Sequence, residues 1–237
     1  MSLRSYRRLA VTLLLMIFAS SCARRTTAVA PNTFDPCRDL YTEVLKIQNT
    51  GALADDVVLG FARCARTTGR IGSAISVLED FLKESPSASS WNQLGLLYDE
   101  TGDLAAGEKA LRKAAALKAD PTVHNNLGYN LFLQDKPEAA EAEFRRALEF
   151  DAAFATARNN LGAVLARRGD LDGALEQFQM TADPATAHNN LAVVLFEAGK
   201  YEQSRQQLIK ALAIRPDFAP ALANFKIVQE VIDKKGF

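Results

Sequence analysis

From residue 54 onward, small and apolar residues recur at steps of three and four, which places them on one face of an α-helix. The clearest stretch is EAAEAEFRRALEF (138–150), where Ala140, Phe144 and Ala147 share a face. Turns marked by glycine, such as TGD (101–103) and RGD (168–170), separate successive stretches. The pattern predicts an all-α protein from Cys37 almost to the C-terminus.

A similar helical sequence segment recurs along the chain. HNNLGYNLF (124–132) comes back as RNNLGAVLA (158–166) and HNNLAVVLF (188–196), with a looser copy, WNQLGLLYD, at 91–99. The opening residues Trp91, His124, Arg158 and His188 are 33, 34 and 30 residues apart. Fainter copies begin at Val58 and at Leu222. A period near 34 residues predicts helix pairs that stack on one another.

The repeated positions resemble the tetratricopeptide (TPR) family. They combine a large opening residue, Leu, a small residue and an aromatic or Leu on the first helix with small, large and small residues on the second. The first full unit has Trp91, Leu94, Gly95, Tyr98, Gly107, Leu111 and Ala114, and the second has His124, Leu127, Gly128, Leu131, Ala140, Phe144 and Ala147. The later units keep this register with Leu161, Gly162, Leu165, Ala174 and Phe178, and with Leu191, Ala192, Leu195, Ser204, Leu208 and Ala211.

The resemblance implies a TPR α-solenoid of about five helix-turn-helix units over residues 54–237, with Ala219–Lys235 as a C-terminal capping helix. Small residues at Gly95, Gly128, Gly162 and Ala192 are expected to let the two helices of a pair approach closely. The third unit is four residues short. Its second helix should therefore end early and change the superhelical pitch near Thr181–Ala187.

The first residues of the chain have a different character. Arg4, Arg7 and Arg8 precede an apolar run, Leu9 to Ala19, and small residues follow directly before Cys22. These three parts predict a signal peptide over residues 1–21, with an uncleaved membrane anchor as the alternative.

Phe18-Ala19-Ser20-Ser21-Cys22 resembles the lipobox of bacterial lipoproteins, although Ala19 stands where Leu is commonest. The resemblance implies that Cys22 is acylated and becomes the mature N-terminus, and Ala23 favours the outer membrane. Residues 22–36 are then a lipidated tether and residues 37–53 an N-terminal helix. The expected location is the outer membrane of a Gram-negative-type bacterium, with the protein facing the periplasm.

The two remaining cysteines, Cys37 and Cys64, would lie in an oxidising compartment. They are almost equidistant from a turn near Gly51, so an antiparallel helix hairpin would bring them side by side. This predicts a structural disulfide. The alternative is a pair of unbonded, buried cysteines.

Charge and motifs argue against several classes of function. Lys+Arg and Asp+Glu both number 28, so the clustered basic excess of a nucleic-acid binder is missing. We find no phosphate loop, metal-ligand spacing or nucleophile elbow, and expect no enzyme, cofactor or small-molecule substrate. His124 and His188 fill the slot of Trp91, which predicts packing histidines. Glu138, Glu141 and Glu143 are interpreted as a solvated helix face.

In TPR proteins the first helix of each pair lines a concave groove that holds a protein or peptide. The matching positions here carry an amide column and an apolar stripe: Asn92, Asn125, Asn159 and Asn189, with Tyr129, Phe132, Val193 and Phe196. Amides can bond the main chain of a partner, but they can equally bond neighbouring helices. Basic residues that would clamp a free C-terminus are missing.

The architecture is similar to that of TadD-type lipoproteins of Flp pilus assembly and to pilotins. This implies an adaptor that assists assembly of a pilus or secretion apparatus, with a secretin or pilus component as partner. The alternative is a scaffold that recruits cell-wall hydrolases or synthases.

Overall fold

The computed structural model describes Cys37 and residues 55–236, which form eleven α-helices and no strand. The helices are α1 (Asp55–Thr67), α2 (Ile71–Glu84), α3 (Ala88–Thr101), α4 (Leu104–Leu117), α5 (Pro121–Leu133), α6 (Pro137–Phe150), α7 (Ala155–Arg168), α8 (Leu171–Gln179), α9 (Pro184–Glu197), α10 (Tyr201–Ile214) and α11 (Ala219–Lys235). The signal peptide, Cys22, the tether and residues 38–53 of the expected N-terminal helix lie outside the described residues.

The helices form five pairs followed by a single final helix. Each helix packs against the next one in the chain, and the first helix of each pair also packs against the first helix of the following pair. Within the described part of the chain, the second helices do not pack on one another to the same extent. The first helices therefore line the inner, concave side, and the predicted all-α TPR solenoid is confirmed.

Glycine residues on the first helices, which have no Cβ atom, set the distance between the two helices of a pair. A Cβ added at Gly128 would lie 2.8 Å from the Phe144 ring, and one at Gly162 would lie 3.0 Å from the Phe178 ring. At Gly95 the added atom would lie 2.6 Å from Leu111. Such contacts are shorter than carbon atoms tolerate, so the expected close approach at the small residues is confirmed.

The turn between the two helices of each pair needs a residue with a positive φ, in the left-handed region. Gly69, Gly102, Gly169 and Gly199 have φ values of +75° to +97° there. In the third pair Asp135 adopts φ 59° at the same place. Aspartate is among the few non-glycine residues that accept this conformation, which explains why QDK can replace a glycine turn.

The fourth helix pair of the solenoid, α7 with α8, corresponds to the third full unit of the sequence and is the short one. Helix α8 has nine residues, whereas each of the other helices from α2 to α10 has thirteen or fourteen. The expectation of an early end is confirmed. Helices α7 and α9 contact each other more extensively than α5 contacts α7. The change of pitch stays a prediction.

The two ends of the solenoid are built differently from its middle. Near the first pair, Cys37 is fully buried and joined to Cys64 of α1 by a disulfide, with the Cα atoms 5.5 Å apart. In the last helix, α11, Lys226 occupies the slot that is Gly or Ala in the four preceding first helices. A lysine there blocks the approach of a further second helix, so α11 can close the stack.

Candidate partner-binding groove

The two histidines join the helices within their own pairs. Nδ1 of His124 lies 2.7 Å from Oε2 of Glu143, and the ring, 8% exposed, stacks on Phe150 with centroids 5.5 Å apart. Nδ1 of His188 lies 2.8 Å from Oε1 of Gln207. Both partners are 19 residues further along the chain. The prediction of packing histidines is confirmed, and each histidine carries a specific polar contact in addition.

The interpretation of three glutamates as a solvated face is wrong for Glu143 and incomplete for Glu141. Glu143 is only 6% exposed, because it faces His124 of α5, and it also accepts a hydrogen bond from Arg146. The Glu141 side chain is 15% exposed and pairs with Arg145 and Arg168. Only Glu138, whose side chain is 74% exposed, has the expected surroundings.

The amide column forms an internal ladder between neighbouring first helices. Asn126 donates to Asn92, Asn160 donates to Asn125, and Asn224 donates to Asn189, each over 2.9 Å. The second asparagine of one unit thus bonds the first asparagine of the unit before it. Asn125 and Asn189 are 6% and 4% exposed. Of the two interpretations of these amides, the geometry favours bonds between helices for Asn92, Asn125 and Asn189.

The ladder stops where the repeat changes. Asn159 accepts a 2.6 Å bond from the Thr181 hydroxyl and not from Asn190, because the short fourth pair alters the register. At the other end, the Nε2 atom of Gln93 is buried without a hydrogen-bond partner. The corresponding acceptor position in α1 is Leu59, whose side chain has no atom that could accept this hydrogen bond.

The apolar stripe lies on the concave side as a half-exposed surface. Tyr129, Phe132, Val193 and Phe196 are all partly buried, and the three aromatic residues rest against the core. The Tyr129 and Phe132 rings are 6.5 Å apart, and the Arg167 guanidinium lies 4.6 Å above the Phe132 ring. Phe132 and Arg167 also border a pocket of about 280 Å³.

This stripe is part of a longer column that continues onto α11. The residue four positions after the first asparagine slot is apolar on five consecutive first helices, and we name this set the apolar column: Leu96, Tyr129, Ala163, Val193 and Ile227. All five side chains are partly or largely exposed. Repeat spacing alone could have identified Ile227, because it lies 34 residues after Val193.

Two carboxylates near the column have strongly raised pKa values. Burial raises the pKa of Asp99 to about 6, against the opposing hydrogen bond from Asn130, and its Oδ2 atom is buried without a partner. Glu197 is exposed at its surface, but burial by the surrounding groove atoms raises its pKa to about 7, against the opposing charge of Arg167. Burial, followed by the charges of Glu197 and Asp99, raises the pKa of Tyr129. Tyr129 therefore lies within electrostatic range of both carboxylates, while Oδ1 of Asp99 accepts a hydrogen bond from the buried Asn130 amide between α3 and α5.

No group of three His, Cys, Asp or Glu side chains in the described part of the chain is placed to hold a metal ion. Helices α1 to α11 include none with the length and apolarity to cross a membrane.

Family comparison agrees with this architecture. Models of the tetratricopeptide repeat match residues 88–121, 125–185 and 185–215, which together are 125 of the 237 residues. The chain is also 26% identical over 162 residues to a probable UDP-N-acetylglucosamine–peptide N-acetylglucosaminyltransferase, SPINDLY, of Hordeum vulgare. That match covers 64% of this chain and 17% of the barley protein, so the chain spans about a sixth of that relative's length.

Solved structures show the same fold. The crystal structure of YrrB, a TPR protein with an unusual peptide-binding site, matches with a TM-score of 0.58 and 24% identity over 78% of this chain and 97% of YrrB. TTC0263, a thermophilic TPR protein of Thermus thermophilus, matches with a TM-score of 0.54 and 18% identity over 74% and 99% of the two chains. Cut9–Hcn1 of the APC/C matches with a TM-score of 0.58 and 20% identity over 81% and 40%.

The ladder leads to a prediction about stability. In Asn160→Ala the buried Oδ1 atom of Asn125 loses its donor, so unfolding should become easier by about 1–2 kcal/mol. Asn190→Ala removes the equivalent residue where no such bond exists, and its effect should be less than half as large. Urea unfolding followed by circular dichroism measures both. Equal losses for the two variants would contradict the ladder.

Asp99 leads to a prediction about pH. Its pKa is raised from 3.8 to about 6 in the folded protein, so folding is favoured while Asp99 is protonated and that contribution is lost as pH rises through 6. Asp99→Asn is neutral throughout. At pH 7.5 it should be more stable than the wild type by on the order of 1 kcal/mol, after discounting for partial exposure, and the gain should vanish near pH 4. A difference that is independent of pH would refute this interpretation.

Proposed function

The chain belongs to the tetratricopeptide repeat family, and we propose that it is a membrane-anchored adaptor that holds a protein partner in its concave groove within the cell envelope. Its repeats make it an adaptor or scaffold for protein–protein interactions. The observation that carries the proposal is the apolar column, which stays partly exposed along five first helices while the neighbouring amides are occupied internally. A partly apolar segment is the ligand that such a surface accommodates.

Anchoring is proposed from the beginning of the chain. Acylation of Cys22 would hold the protein at a membrane, since each buried methylene contributes about 0.8 kcal/mol. The fourteen residues between Cys22 and Cys37 span at most about 50 Å when fully extended. The Cys37–Cys64 disulfide fastens the end of this tether to α1. The first helix pair would therefore lie within about one tether length of the periplasmic face of the outer membrane.

The proposed task is to assist assembly of a pilus or secretion apparatus. Support comes from the combination of a lipobox-like segment, a short tether and about five helix pairs, which resembles TadD-type proteins and pilotins. We propose no catalytic activity for this chain. The match to a glycosyltransferase spans 17% of that enzyme, and a groove lined by amides, aliphatic and aromatic side chains suits binding.

A pull-down from detergent-solubilised envelopes tests the function, with Cys22→Ser as the matched variant. Wild type should incorporate labelled palmitate, fractionate with the outer membrane and recover a secretin or pilus component. Cys22→Ser should lose the label and the membrane fraction while keeping its fold by circular dichroism. Recovery of cell-wall hydrolases or synthases would replace the assembly role with scaffolding. Unchanged palmitate labelling of Cys22→Ser would remove the anchor.

A further inference from the structure

The concave face has a chemically distinct edge next to the apolar column. The first helices run in the same direction, so their C-terminal turns lie side by side along this edge. The last turns of α1, α7 and α11 contain basic residues: Arg66, Arg167 with Arg168, and Lys234 with Lys235. Those of α3 and α9 contain none and carry Asp99, Glu100 and Glu197 instead, and Glu230 of α11 occupies the slot of Phe196 one repeat later. We name Asp99, Glu100, Glu197 and Glu230 the acidic edge.

Part of this negative charge is balanced by basic residues in the described part of the chain. Glu100 pairs with Arg66 at 3.1 Å. Glu197 and Glu230 make no hydrogen bond or ion pair there, and Oδ2 of Asp99 is buried without a partner. The Tyr129 hydroxyl, on the helix between α3 and α7, likewise has no hydrogen-bond partner among the described residues. Arg167 lies over the Phe132 ring and 3.4 Å from Asp135, and its charge also acts on Glu197, where it lowers the pKa against the larger effect of burial.

Helix geometry adds to the negative potential of this edge. The carbonyl groups at a helix C-terminus carry the negative end of the macrodipole, so a carboxylate in the last turn is unfavourable and a cation is favourable. The last turns of α3 and α9 place carboxylates in this position. Burial is the main cause of the raised pKa values of Asp99 and Glu197, and it outweighs the hydrogen bond from Asn130 and the charge of Arg167, respectively. Natural sequences keep such locally unfavourable placements mainly where function requires them.

We propose that the occupant of the groove is a basic amphipathic segment of a protein partner. Its apolar side chains cover the apolar column, and its lysine or arginine side chains lie along the acidic edge, where Glu197 and Glu230 accept them. This assignment rests on the proposed adaptor function and specifies the chemistry of its ligand. Acidic segments are disfavoured, because they would bring further negative charge close to Glu197 and Glu230, which make no ion pair within the described residues.

The test compares two synthetic fourteen-residue peptides that share the same leucine and alanine positions. One carries lysine at every polar position and the other carries glutamate. Fluorescence anisotropy of the labelled peptides reports binding to the purified full chain. The lysine peptide should bind and the glutamate peptide should bind at least about tenfold more weakly, with the lysine complex weakening as salt screens the charges.

Variants show whether the acidic edge is responsible. Glu197→Gln with Glu230→Gln should weaken the lysine peptide at least about fivefold. The matched control, Glu149→Gln with Glu176→Gln, removes the same charge from exposed residues of the second helices α6 and α8 and should stay within about twofold. Equal effects of the two double variants would overturn the proposal, and so would tighter binding of the glutamate peptide or no binding of either peptide.

A third variant separates this inference from the adaptor function. Tyr129→Ala with Val193→Ala, checked for an unchanged helical content, removes two members of the apolar column. If the glutamate peptide binds and this variant abolishes its binding, the groove is a partner site and the assigned charge preference is wrong. If neither peptide binds, the inference fails, while the envelope pull-down still decides the adaptor function independently.

Discussion

The close approach of two helices within each pair is the constraint on which the rest of the structure depends. Gly95, Gly128 and Gly162 carry no Cβ because Leu111, Phe144 and Phe178 occupy that space. This contact brings the opening residue of the first helix against the second helix, so His124 meets Glu143 and His188 meets Gln207. It also fixes the rotation of every first helix. The same positions of each first helix therefore face the concave side, where they align into columns.

Repeat spacing predicted much of the fold, because equivalent positions of successive helix pairs lie at regular intervals along the sequence. The small slots, the helix pairs, the cap and the early end of α8 all follow from counting residues between copies of one sequence segment. The partner of an amide does not follow from counting. Asn125 can bond a ligand or a neighbour, and only the distance between α5 and α7 shows that Asn160 reaches it. The burial of Glu143 does not follow from counting either, because Glu138 and Glu141 on the same helix are more exposed while the spatial neighbour of Glu143 is His124.

The internal ladder changes what the groove can use for recognition. Since Asn92, Asn125 and Asn189 already accept hydrogen bonds from the next unit, selectivity passes to the apolar column and to the carboxylates beside it. Repeat spacing places Asp99, Glu100 and Glu197 at groove positions, but their environment does not follow from it, because an acidic residue on a helix surface is ordinary in sequence. Burial within the groove makes Glu197 unusual, and that burial is a property of the folded stack. The ladder stabilises the solenoid, and the column and edge are left for a partner.

The central claim is that the concave face of the first helices is the partner-binding surface. Site-specific photo-crosslinking in cells tests it most directly, with a photoreactive residue placed at Val193 on α9 or at Ile209 on the outer side of α10, which is 50% exposed. The account predicts a crosslinked protein partner from position 193 and none, or far less, from position 209. Crosslinking of the same partner from position 209 alone would contradict it.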